Sequence, residues 1–291
     1  MTLTRVLRDG PLSAMRLTDF RVVPMSHARL AAVAALAVLF AGRVWAQGPP
    51  DAAELAKKAQ NPIANMNMVP VQFNFTTGGG LGSRTQSLIN IQPVLPLAIN
   101  EKWNLIARTI IPIVSQPLPD GERATGIGDI QEQLFFAPTA PGKVIWGIGP
   151  ALSFPTATNP VLETGQFALG PSLVVEAMPG RWVMGVVANN LWRIGGSDST
   201  TAINTLFVQP FINYNLKRGW AISTTPAITA NWAADSGQKW TVPLGLGVSK
   251  VTMVGKQPIN VVLQYYNNVV RPDAAGAYMV RMMFILLYPR A

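Results

Sequence analysis

The sequence predicts an all-β protein: an antiparallel transmembrane β-barrel of about twelve strands, with a short N-terminal helix. Three observations predict it. Apolar and polar residues alternate with period two through most of the chain beyond residue 68, as strands do when one face is wet and the other apolar. The turns between these runs alternate between short and long, as in outer-membrane barrels. The short ones, near residues 100, 140, 180, 218 and 256, carry Lys102, Lys143, Arg181, Lys217, Arg218 and Lys256, and Trp103, Trp146, Trp182 and Trp220 follow four of them. Indoles at the same end of successive hairpins form an interface belt in a membrane barrel. A soluble β-sandwich, the other home for so many half-apolar strands, gives no reason for that placement.

The first 46 residues predict a leader rather than folded structure. Arg29 precedes the apolar run Leu30 to Ala41, too short to span a bilayer as a helix, and Val44-Trp45-Ala46 fits a small-x-small cleavage rule. Cleavage is expected after Ala46, with Met25 a plausible start and 25–46 the signal peptide proper. This segment holds six arginines and two aspartates of the chain's 23 basic and 14 acidic residues, so 17 bases and 12 acids remain, a net charge of +5. The remaining bases sit singly at turns, which argues against nucleic acid as a partner. There is no cysteine, and the one histidine, His27, lies in the leader. That removes Ser-His-Asp and Cys-His catalysis and zinc sites built on those ligands. An enzyme is not expected, and no cofactor or metal is implied. The expected partners are outer-membrane lipid, a small-molecule solute, and the export and barrel-assembly machinery.

In order, residues 47–65 form a lead-in segment. Asp51 is placed to cap a helix reaching Lys58 to Gln60, with Glu54 in capping-box position. The helix fits a surface position or a plug entering the barrel mouth, and its weak amphipathicity decides neither. The barrel is expected over 66–291. Its first strand, Val69 to Thr77, is followed by the loop Gly78 to Gly82, which lacks the Lys-Ser/Thr of a phosphate loop. Strands follow at 85–97, 103–113, 126–136, 144–154, 167–177 and 182–194. The hairpin of 205–216 and 220–232 turns at Lys217-Arg218-Gly219. Strands at 240–251, 259–266 and 278–288 complete the set. Glu132 falls on the lipid-facing side, an expensive place for an acid near the bilayer middle.

The opposite parity defines a lumen of mostly neutral amides. Its candidate lining residues are Asn90, Gln92, Arg108, Asp129, Gln131, Asn189, Arg193, Gln209, Asn213, Asn231, Gln264 and Arg281. Amides donate and accept, so they can satisfy one another across a filled lumen or line a pathway for a solute. Arg108, Arg193 and Arg281, with Asp129 and Glu176, offer either an electrostatic constriction or structural ion pairs. Phe207, Phe211, Tyr266 and Met283 also point inward, as a greasy path or as packing. Barrels of eight strands are filled and those of sixteen are channels; twelve lies between.

Several motifs in register resemble a known family. NPIANMNMVPVQFNF at 61–75, GIGDIQ at 126–131, GIGPALSFPTAT at 147–158, QPFINYNL at 209–216, WTVPLGLGVSK at 240–250 and QPINVVLQYYNNVVRP at 257–272 carry the likeness over nearly all of the chain after the leader. They resemble bacterial outer-membrane transporter-like proteins described as components of a phenol-degradation meta pathway, some of them mislabelled neuromedin U. The resemblance implies a porin-related barrel admitting small aromatic or hydrophobic compounds, and brings no catalytic residues with it. Glu132 and the ending Tyr288-Pro289-Arg290-Ala291 depart from the pattern. A closed-lumen structural barrel and, less readily, a barrel-embedded enzyme are the alternatives.

Overall fold

The protein, seen in a computed structural model, is described over residues 52–79, 84–198 and 201–288. The leader, its cleavage site, the Asp51 cap, loop residues 80–83 and the ending at 289–291 lie outside the described residues. Helix α1 (Ala52–Gln60) leads into fifteen strand segments. These are β1 (Asn67–Thr77), β2 (Gln86–Ile91), β3 (Val94–Ala98), β4 (Trp103–Pro117), β5 (Arg123–Ile127), β6 (Ile130–Pro138), β7 (Val144–Phe154), β8 (Gln166–Ala177), β9 (Trp182–Gly196), β10 (Asn204–Asn215), β11 (Trp220–Thr224), β12 (Ile228–Asn231), β13 (Trp240–Val254), β14 (Gln257–Val270) and β15 (Tyr278–Tyr288).

The segments make twelve antiparallel staves, because β2 with β3, β5 with β6, and β11 with β12 are each one strand interrupted. Members of each couple pair with the same neighbouring strand. The interruptions have local causes. Pro93 and Pro226 have no N–H to give a ladder, and Gly128-Asp129 separates β5 from β6. The sheet closes where β1 meets β15, from Asn67 opposite Tyr288 to Thr77 opposite Tyr278. Closure pairs the staves on both sides, except at β5, which pairs with β4 alone; a closed ladder is what a strand protein needs in lipid.

The pleat sends alternate side chains through the wall. Outside, Leu246, Leu244 and Ile148 are 63, 59 and 51 % exposed. Apolar side chains this bare, on strand after strand, form a patch far larger than a water-soluble monomer carries; lipid is the solvent that suits it. Aromatic residues bound the band at both ends. At the short-turn end Trp103 meets Trp146 edge-on at 5.9 Å, Trp182 meets Tyr214 at 4.7 Å, and Lys250 Nζ lies 5.0 Å over Trp220. At the long-loop end Trp232 meets Trp240 at 5.3 Å, Phe154 meets Phe167 at 6.4 Å, and Tyr265 stacks on Tyr278 at 6.4 Å. Two girdles separated by an apolar band match a membrane's two interfaces. Glu132 does face outward, opposite Thr109 and Leu152, and the Thr109 hydroxyl donates to it at 2.6 Å.

Helix α1 forms because AAELAKKAQ is rich in strong helix formers and Glu54 pairs with Lys58 one turn on, at 2.7 Å. Its buried face is only Ala52, Ala56 and Ala59. Small side chains let it approach the wall closely: a Cβ built on Gly219, whose φ is +75°, would lie 3.3 Å from the Ala52 Cβ. Asn61 ends the helix, its Oδ1 accepting the Ile63 N–H at 2.7 Å, and turns the chain into the barrel. Ile63, Ala64 and Met66 then pack with Val94, Ile106, Phe135, Val187, Phe211 and Leu287. The short-turn end of the barrel is therefore filled by an apolar core, and the helix lies across it.

Candidate functional site

Polar contacts at two places hold α1 across the mouth. The Gln60 and Asn215 amides exchange two hydrogen bonds, each 3.0 Å, and Lys57 Nζ donates to the Gly180 carbonyl at 2.6 Å. Asn215 also donates to the Arg181 carbonyl at 3.1 Å, which ties the latch to the next turn of the rim. None of these contacts is a charge pair with the wall. The helix is held by small-residue packing and a few exchangeable bonds.

Above the helix end lies a cavity of about 120 Å³. Ala59, Gln60 and Asn61 form its floor, while Gln72, Gln92, Arg108, Gln209, Asn213 and Gln264 give it polar walls, and Met68, Phe211, Val262 and Met283 an apolar side. A larger groove of about 400 Å³, between Trp182, Tyr214 and Leu246, lies on the lipid-facing wall and is not connected with this chemistry.

The cationic groups of the lumen are held by neutral oxygens. Arg108 donates to Gln92 Oε1 at 2.6 Å and to Gln133 Oε1 at 3.4 Å. Arg281, buried, donates to Asn74 Oδ1 at 2.9 Å, to the Thr225 carbonyl at 2.7 Å and to Thr225 Oγ1 at 3.1 Å, and lies 5.1 Å over the Tyr266 ring. Gln72 donates to the same Asn74 oxygen at 3.1 Å. Gln264 donates to Ser223 Oγ at 3.0 Å and accepts from Thr225 Oγ1 at 3.1 Å. The Tyr266 hydroxyl accepts the Thr225 N–H at 2.8 Å, just before Pro226 breaks the strand. This last bond replaces the ladder partner lost at the interruption.

The remaining candidate residues divide. Asn90 points inward opposite Gln72 and Pro112, Gln131 opposite Ser153 and Ile110, and Asn189 opposite Ser172 and Phe207. Gln209 and Asn213 line the cavity, and Asn213 also reaches the Val183 carbonyl at 3.4 Å. Three expectations need correction. Asp129 is no part of a charged constriction: at the strand break it accepts from the Thr156 and Ala157 amides at 3.1 Å and from the Thr164 hydroxyl at 2.5 Å, pinning the loop after β7. Arg193 sits at the long-loop rim and pairs with Asp198. Asn231 is exposed at that rim, where its Oδ1 accepts the Ala233 N–H at 3.1 Å. Each has lumen parity, but the strand breaks at Asp129 and ends at Asn231, and Arg193, three residues from the end of β9, is drawn to the rim by Asp198.

Glu176 does not join a constriction either. It is 1 % exposed near the short-turn end of β8, beside Gly185 and Phe211, and neither carboxyl oxygen has a donor among the described residues. A buried acid without partners costs stability. Glu176→Leu should therefore stabilise the folded barrel by about 1–3 kcal/mol. The check is the urea midpoint of the heat-modifiable band on a gel; an unchanged or lowered midpoint would show the carboxyl to be better solvated than its setting implies.

Sequence reasoning missed the Gln60–Asn215 latch, because its two halves are 155 residues apart and neither breaks the local pattern. Tyr266 is legible as an inward side chain, but not its role at the strand break; the signal for that is that a tyrosine on the wet face needs a partner for its hydroxyl.

Closed antiparallel staves, an apolar band, two aromatic girdles and a polar lumen define an outer-membrane β-barrel. Neither a protein-family model nor a curated protein sequence matches the chain. Solved structures do. An outer-membrane channel from Pseudomonas putida F1 superposes with a TM-score of 0.59 at 11 % identity, covering 77 % of this chain and 96 % of that one. The NanC porin superposes with a TM-score of 0.51 at 9 % identity, covering 76 % of this chain and 100 % of the porin. At such identities the likeness is one of fold.

Proposed function

We propose that this barrel resides in the bacterial outer membrane and passes small solutes passively, with α1 as a displaceable plug at the periplasmic mouth. The observation that carries the reading is the combination of a lined polar cavity with a floor that is not part of the wall. A purely structural barrel fills its lumen with side chains from its own strands, as small barrels do. Here the floor is a separate segment, held by the alanine face of α1, by Ile63 and Met66 in the apolar core and by a few hydrogen bonds without an ion pair, while the staves around it already close on themselves. The short turns and their belt at that mouth support the periplasmic side, where outer-membrane barrels carry their short turns. The shared fold with a channel and a porin supports the same reading, as does the resemblance to transporter-like proteins associated with aromatic compounds.

Liposome swelling and planar-bilayer recording on the refolded chain test it. Passage of small solutes, with current fluctuating between a closed level and discrete openings, is the expected result. A folded, heat-modifiable barrel that gives neither swelling nor current in any state would overturn it in favour of a sealed structural barrel.

A further inference from the structure

We infer that the cavity above the plug is a binding site for a small monocarboxylate with an apolar body, and that Arg108 is its anchor. The inference rests on the passage reading for its role in transport, and on the lumen's own chemistry for the ligand.

Arg108 and Arg281 are the cations of the mid-lumen, and among the described residues neither pairs with a carboxylate. Ion pairs among the described residues are two: Glu54 with Lys58 on the helix surface, and Arg193 with Asp198 at the rim. Asp129 is committed to the loop after β7, and Glu176 does not line the cavity. Both guanidinium groups are thus partnered by neutral oxygens alone. An enclosed cation without a counter-charge raises the local potential and favours an incoming anion.

Arg281 is buried behind Asn74 and Tyr266, whereas Arg108 lines the cavity. The Arg108 guanidinium carries five N–H groups, and its bond to Gln133 is long at 3.4 Å, so donors remain for a ligand. A planar carboxylate is the group that accepts two parallel N–H bonds from such a fork. Gln92 spends its carbonyl oxygen on Arg108 at 2.6 Å, which leaves its NH₂ to donate into the same space.

The rest of the lining asks for something else. Val94, the cross-strand neighbour of Arg108, and Met68, Phe211, Val262 and Met283 present apolar surface to the cavity, and no hydrogen bond can be made with it. A pocket that combines a cation with hydrocarbon suits an amphipathic acid rather than an inorganic anion or a sugar. The volume of about 120 Å³ is that of a few water molecules at ~30 Å³ each, which limits the ligand to a small one.

The test compares butyrate with butyramide, which share size and shape and differ in charge. Flux into liposomes holding the full refolded chain should favour butyrate by about tenfold, equivalent to ~1.4 kcal/mol. The reversal potential in a KCl gradient should lie on the anion side. Arg108→Gln should bring the butyrate-to-butyramide ratio near one, and Arg108→Lys should keep part of the preference, with heat modifiability on a gel confirming that both variants fold. A wild-type ratio near one, or cation selectivity, would overturn the inference while leaving the passage reading standing. If neither solute crosses, the passage reading fails, and the site is judged by calorimetric titration of butyrate into the detergent-folded chain: saturable binding lost in Arg108→Gln supports it, and no binding overturns it.

Discussion

Removing residues 52–66 should turn an intermittently closed barrel into one that conducts continuously, with single-channel current several-fold above the full chain's openings. The reason is structural. The staves begin at Asn67 and close through β1 and β15 without any contribution from α1. What the truncation removes is the floor: Ala59, Gln60 and Asn61 beneath the cavity, and Ile63, Ala64 and Met66 from the apolar core at the mouth. Some stability goes with them. Ile63 and Met66 are 5 % and 2 % exposed, and burying such side chains contributes about 1.5–3 kcal/mol each. The truncated barrel should therefore fold with a lower urea midpoint and yet carry more current. Equal current with and without the segment would show that the constriction lies in the wall.

The second large effect concerns the outer wall. Leu246→Arg should cost roughly 2–4 kcal/mol of folding free energy in lipid, the value expected for a basic side chain near the bilayer midplane. Leu246 lies on β13 between the girdle at Trp240 and the one at Trp220 with Lys250, and is 63 % exposed. In a water-soluble protein the same change on so bare a side chain would be close to neutral or would improve solubility. The sign of the measured change therefore separates the two solvents. Reversible urea titration in phospholipid vesicles is the check, and a change within about half a kilocalorie of zero, as surface substitutions in water give, would argue against a lipid-facing wall.

The barrel was legible in the sequence because period two is a local signal and the solvent on each side is uniform. Lipid outside and a mostly polar inside mark alternate residues along the strands, except at the short-turn end where Ile106, Phe135, Val187 and Leu287 face inward, and indoles mark where the strand leaves the membrane. Interruptions were less legible. Pro93 and Pro226 count as apolar in an alternation pattern, so the pattern runs through them although the hydrogen-bond ladder does not. Asp129 shows the same limit in a functional residue. Parity points it at the lumen, but the strand breaks at Gly128-Asp129, and its carboxylate is spent on Thr156, Ala157 and Thr164. The Gly-Asp pair was the signal available for that.

The segment 52–60 was legible as a helix, and its place across the mouth was not. A face of alanines is equally at home in water and in a tight contact, so amphipathicity carries no information about where the helix lies. Its place is set by Gly219, which gives Ala52 room, and by Asn215, which completes the Gln60 amide pair. The pairing of the lumen charges was illegible for a related reason. Three arginines and two acids of inward parity fit either an electrostatic constriction or structural ion pairs. Their partners are decided by height along the barrel, which parity does not report.

The most direct measurement uses the absence of cysteine from the chain. A Gln60→Cys/Asn215→Cys variant, joined by a short reducible bis-thiosulfonate linker, would tether α1 to the rim at its own latch. Single-channel current from one bilayer, recorded before and after adding reductant, then reports the same molecules with the plug held and released. The account predicts no openings while the tether is intact and discrete openings once it is cut. Identical records before and after reduction would contradict it.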